Sequence, residues 1–122
     1  MAWAGALALP APASAGAADV VAARILCEEG VCLVEAAVRH DDEGFHHYAD
    51  RFEVLAPDGR VLATRVLAHP HVDEQPFTRR LPGVVVPPDV TRVRVRAHDS
   101  VHGLGGRELE LPVPRDGEAS AP

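Results

Sequence analysis

From Asp19 onward the chain alternates apolar and polar side chains with a period of two, and no segment repeats at the 3.6-residue interval of a helix. Two cysteines tighten that constraint. The stretches Val20–Cys27 and Val31–His40 read as strands around Glu28-Glu29-Gly30-Val31, and Cys27 can face Cys32 across the turn. That pairing sets Ile25 against Val34, Ala23 against Ala36 and Val21 against Val38, so every pair on one face is apolar. Glu35 and Arg39 mark the outer face of the second strand and send Cys32, Val34, Ala36, Val38 and His40 inward. The same register puts Asp19 beside His40, where an ion pair is expected.

The pattern continues along the chain. Arg51–Ala56 and Arg60–Ala68 form a second hairpin around Pro57-Asp58-Gly59, with proline and glycine at the positions a tight turn favours. Phe77–Val86 holds Pro82, with Pro76 and Pro87 at its borders, and reads as a short or broken edge strand. Thr91–Asp99 alternates cleanly, with Val93, Val95 and Ala97 on one side and Arg92, Arg94, Arg96 and His98 on the other. Leu109, Leu111 and Val113 give the inward face of a last strand. About seven short strands without a helix predict an all-β, two-sheet sandwich of immunoglobulin-like or fibronectin type III-like design. One such domain is expected over residues 18–114, with 115–122 as a loose polar tail.

The net charge of −6 over 122 residues excludes a generic nucleic-acid binder or a protein held to anionic lipid by basic charge. Arg92, Arg94 and Arg96 form a local basic row, which is expected to pair with Glu108 and Glu110 on a neighbouring strand. The first charged side chain is Asp19. Before it, an apolar run from Ala2 to Leu9 precedes Ala13-Ser14-Ala15, a small-x-small cleavage site, with Ala15-Gly16-Ala17 as a second option. Residues 1–17 therefore read as a signal peptide that lacks its basic beginning, too short for a transmembrane segment. A periplasmic or secreted protein is expected, in which Cys27 and Cys32 form a disulfide. Closing so short a loop removes about 2 kcal/mol of unfolded-state freedom.

Seven histidines remain to be explained. Imidazole is the commonest protein ligand for borderline divalent metals. In an extended chain His69, His71 and Asp73 share one side, with Pro70 stiffening the link, which suits Zn²⁺ or Cu²⁺. The string resembles the start of the metallo-β-lactamase motif, but Glu74 stands where that pattern continues with histidine. His47 and His102 lie near strand ends and are the expected company for His69 and His71, because loops of a sandwich cluster at its two ends. His98 falls on the Arg-rich outer face, and parity leaves His46 undecided. Asp99 starts toward the core and needs a hydrogen-bonding partner there. With no methionine beyond Met1 and both cysteines oxidised, soft ligands for Cu⁺ are lacking.

His47-Tyr48-Ala49-Asp50, Glu53 through Gly59, His69 through Arg79 (HPHVDEQPFTR) and Asp99-Ser100-Val101-His102-Gly103 together resemble a family of small, exported, uncharacterised bacterial proteins, over residues 38 to 113. The resemblance implies export and no particular activity. Three readings follow. The first is an exported carrier or sensor holding Cu²⁺ or Zn²⁺ through His69, His71, His47, His102 and Asp73. The second is a non-catalytic structural or protein-interaction module of the cell envelope, contacting a partner through the 69–79 loop. The third, a small hydrolase using histidine with Asp50, Asp73 or Asp99, has least support, since Ser100 is the one serine near such groups and no nucleophile elbow is present. No catalytic residue is assigned.

Overall fold

The computed structural model describes residues 16–122; the expected leader lies almost wholly outside them. Eight strands are found among the described residues: β1 Asp19–Glu28, β2 Val31–Arg39, β3 Ala49–Leu55, β4 Val61–Val66, β5 Phe77–Val85, β6 Arg92–Asp99, β7 Leu109–Pro112 and β8 Gly117–Ala121. They form two antiparallel sheets, ordered β5-β2-β1-β8 and β4-β3-β6-β7, which face each other as a sandwich. The core between them is small and branched. Ile25, Val34, Val38 and Phe77 from one sheet meet Phe52, Val54, Val93, Val95 and Leu111 from the other.

The first hairpin closes through Glu29-Gly30, both at positive φ (53° and 81°), the combination a two-residue type I′ turn needs to follow the twist of its strands. Glutamate is an unusual occupant of that conformation, and its backbone N–H donates to Asp116 Oδ1 at 2.9 Å. Cys27 stands opposite Cys32 and the two are disulfide-bonded. Ile25 with Val34 and Ala23 with Ala36 follow as expected, but Val38 pairs with Val20 rather than Val21. A bulge between Val20 and Ala22 inserts one residue, so Asp19 faces Arg39 and not His40. The expected Asp19–His40 ion pair is thus replaced: Asp19 Oδ1 accepts from the Arg107 backbone N–H at 2.7 Å.

The strand from Phe77 is an edge strand, with Pro82 and Gly83 in the stretch where its register against β2 shifts. Proline is tolerable there because an edge position leaves its missing N–H without cost to the ladder. Arg92 pairs with Glu110 and Arg94 with Glu108, each at 2.9 Å, while Arg96 reaches Glu53 on β3 at 2.8 Å.

The residues expected to form a loose tail instead supply the eighth strand. Ala119 and Ala121 alternate inward, small enough to lie along β1, whose edge they cover. Arg115 secures the approach. Its guanidinium donates to the carbonyls of Val86, Pro87, Pro88 and Val90 at 3.2, 2.9, 2.9 and 2.6 Å.

Candidate metal centre

Strand parity carries polar side chains into one end of the sandwich. On β2 the inward series Cys32, Val34, Ala36, Val38 continues one step past the strand to His40, which is 3 % exposed. On β6 the inward series Val93, Val95, Ala97 ends on Asp99, which is fully buried. Asp99 pairs in register with Ala49, the first residue of β3, so the loop just before it swings His47 over the same spot. One residue from each sheet and one from the loop between them therefore meet.

The contacts are short. His40 Nε2 lies 3.3 Å from Asp99 Oδ1, and His47 Nε2 lies 3.1 and 3.2 Å from the two Asp99 oxygens. His102 brings Nδ1 to 2.5 Å of Asp99 Oδ2 and donates its backbone N–H to the same oxygen at 3.0 Å. The other ring nitrogens of His40 and His47 are also held. His40 Nδ1 faces Asp42 Oδ1 at 2.5 Å, and His47 Nδ1 faces Glu43 Oε1 at 3.1 Å. Asp42 is itself buried and accepts the backbone N–H groups of Ala49 (3.0 Å) and His71 (2.6 Å).

This arrangement concentrates acceptors. Carboxylates and carbonyls only accept hydrogen bonds, so each imidazole nitrogen facing one must carry a proton or a metal ion. Burial pushes the Asp99 carboxyl up, but hydrogen bonds from the His102 ring and backbone, Val101 and His47 outweigh it and hold the group below the usual aspartate value. The hydrogen bond to Glu43, joined by Asp99 and opposed by burial, raises the His47 imidazole above its ordinary value.

The donor set fits a divalent ion. His40, His47 and Asp99 each offer one ligand atom, all within 4.8 Å of one another. Bond lengths of about 2.0–2.1 Å in a tetrahedron put neighbouring ligand atoms about 3.3 Å apart. The separations of 3.3 and 3.1 Å from Asp99 Oδ1 to the two Nε2 atoms match that edge. Asp42 and Glu43 stand behind the two histidines as the carboxylates that orient metal-bound imidazoles do.

Of the residues singled out in the sequence, His47 and His102 lie in this cluster. His71 joins it only through Asp42: its ring is 5 % exposed, its Nδ1 is 3.9 Å from Asp42 Oδ2, and neither ring nitrogen has a hydrogen-bond partner. The ring stacks on Phe77 with centroids 4.0 Å apart and has His69 at 4.8 Å on the loop above. Burial, with Arg79 and His69 adding to it, pushes the His71 imidazole below its ordinary value. Asp73 is exposed on that loop and His46 is exposed on another. His98 lies on the outer face, with Nδ1 2.7 Å from Asp50 Oδ1. His40, Asp42, Glu43 and Asp99 complete the cluster. The inward parity of His40 and Asp99 was the signal available for them; what parity does not give is that the two strand ends coincide.

No protein-family profile matches the chain, and no solved structure matches it. A protein of Halomicrobium mukohataei that bears the name "Putative lipoprotein" is 43% identical over 70 residues, which is 57% of this chain and 34% of that protein. The chain thus spans about a third of the length of the curated relative it matches.

Proposed function

We propose that this chain is an exported β-sandwich of the cell envelope that binds one divalent metal ion, Zn²⁺ or Cu²⁺, through His40, His47 and Asp99, with His102 at the open side, and acts as a carrier or sensor. The observation that carries this reading is the convergence of two Nε2 atoms on one buried carboxylate while each Nδ1 is held by a second carboxylate. The ligands are all nitrogen and oxygen, which suits Zn²⁺ and Cu²⁺ over Cu⁺. A relative named as a lipoprotein and a disulfide between Cys27 and Cys32 support an envelope or exported location.

The test is calorimetric titration of metal-free protein with Zn²⁺ and Cu²⁺, paired with thermal unfolding. A ligand bound only by the folded state stabilises it by about 2.7 kcal/mol at a hundredfold excess over Kd. Wild type is expected to bind one equivalent and gain this stability, His47→Ala to lose both, and His69→Ala to keep them. Loss in His69→Ala with retention in His47→Ala would move the site to the 69–73 loop. No uptake by wild type would leave the cluster as a proton-filled structural hub and refute the reading.

A further inference from the structure

We infer that peptide cleavage between Ala15 and Gly16 completes the metal centre: the α-amino nitrogen it frees, together with the Gly16 carbonyl oxygen, joins His40 on the ion. This rests on the metal reading above and adds a ligand and a maturation step to it. The Gly16 carbonyl oxygen already lies 2.8 Å from His40 Nε2, the same nitrogen that faces Asp99 Oδ1. In one residue the amine and carbonyl oxygen are joined through Cα, so together they close a five-membered chelate ring on a divalent cation. An amide nitrogen has no free lone pair for that purpose, whereas an amine does. Cleavage supplies it by hydrolysis: an export peptidase adds the hydroxyl of water to the Ala15 carbonyl carbon, the C–N bond breaks, and a proton goes to the Gly16 nitrogen.

Two further features fit. Glycine suits position 16 in the uncut chain, because its φ is +84° and a Cβ there would stand 2.7 Å from the His102 ring, which would have to turn aside. The segment that carries it is also docked. Ala17 and Ala18 are buried, the Ala18 carbonyl lies where a Cβ on Gly106 would be, and the Val20 N–H donates to the Arg107 carbonyl at 2.9 Å. The docked segment thus holds the Gly16 carbonyl at the cluster, and cleavage would free the amine on that same residue. In the sequence, Ala13-Ser14-Ala15 places a small-x-small cleavage site immediately before this residue. Cleavage after Ala17 instead would discard the chelating residue.

All eight strands lie between Asp19 and Ala121, so a chain beginning at Gly16 retains the whole sandwich. Cu²⁺ is the probe, its Kd measured by competition and its ligand field by visible absorption and paramagnetic resonance. Four forms are compared: the Gly16-start protein, the same protein acetylated at its amine, a form retaining Ala15 before Gly16, and the full chain. The Gly16-start form should bind Cu²⁺ roughly 10–100-fold more tightly than the other three, the range expected for losing one supporting group at a metal site. It should also show one more coordinated nitrogen. Equal Kd values and equal spectra across the four would overturn the inference while leaving the histidine site standing. No Cu²⁺ binding by any form would overturn both. An exported protein whose first residue is Ala18 would overturn the inference alone.

Discussion

Asp99→Asn is the most exacting perturbation of the cluster, since it removes a charge without removing an atom. The wild-type carboxylate is fully buried and takes three imidazoles and the backbone N–H groups of Val101 and His102. An asparagine oxygen in the place of Oδ2 can keep the His102 backbone donor, but its NH₂ then stands where Oδ1 accepted from Val101 and faces imidazole nitrogens of His40 and His47 whose other sides are fixed by Asp42 and Glu43. Each charge-assisted hydrogen bond contributes about 1.5–3 kcal/mol net, and breaking a buried pair from one side costs about 3–5 kcal/mol. The latter governs here because the histidines stay behind. For a domain of this size that is a fall in Tm of roughly 10–20 °C. The pH profile gives the sign. The Asp99 carboxyl is held below its ordinary value, so its stabilisation is present above pH ~4 and is lost as pH falls through the depressed native value. The His47 imidazole is raised, so its contribution is full below about pH 6.5 and is lost as pH rises through the raised native value. Urea unfolding of metal-free wild type and variant from pH 3 to 8 should show the largest difference between about pH 4 and 6.5. A difference below about 1 kcal/mol at pH 5.5, or one that is flat across the range, would refute the hub described here.

Two other substitutions probe different parts of the molecule. Arg115→Ala removes the donor to four carbonyls and should cost about 2–3 kcal/mol, with the backbone amides of β8 and of its partner β1 losing hydrogen-exchange protection first; unchanged protection in β8 would show that the strand holds without its anchor. His71→Leu replaces a buried ring whose two nitrogens have no partner. The native imidazole is depressed, so wild type loses stability as pH falls from about 6.5 toward the native value, and the variant should not. The leucine variant is expected to gain about 1–2 kcal/mol at pH 5.5 and less at pH 8, read from urea midpoints. An equal change at both values would mean that His71 acts by packing alone.

The sandwich was legible because its rules are local. Apolar pairs fixed the Cys27–Cys32 hairpin, and strand parity assigned the inward faces of β2 and β6. The bulge at Val21 was hidden for the same reason: Val20 and Val21 are both apolar, so either satisfies the core and only the three-dimensional path chooses. β8 escaped notice because Arg115, Asp116 and Glu118 give its segment a polar composition, while the alanines that pack are too small to register as a strand. The site divides along the same line. Inward parity at His40 and Asp99 can be read from the chain, but their partners come from the opposite sheet and from a loop. His69 and His71 are conspicuous as a motif, whereas His40 stands alone in sequence and gains its company only by folding.

The disulfide and the histidine cluster sit at opposite ends of β1, and the two ends are fastened by unlike chemistry. At the turn, Cys27–Cys32 and the Arg115 clasp depend on redox potential and on hydrogen bonds that neutral pH leaves alone. At the other end, cohesion depends on the protons shared between Asp42, Asp99 and their histidines. A reductant therefore loosens one pole and acid the other, so the two ends of the same small sandwich give way to different agents.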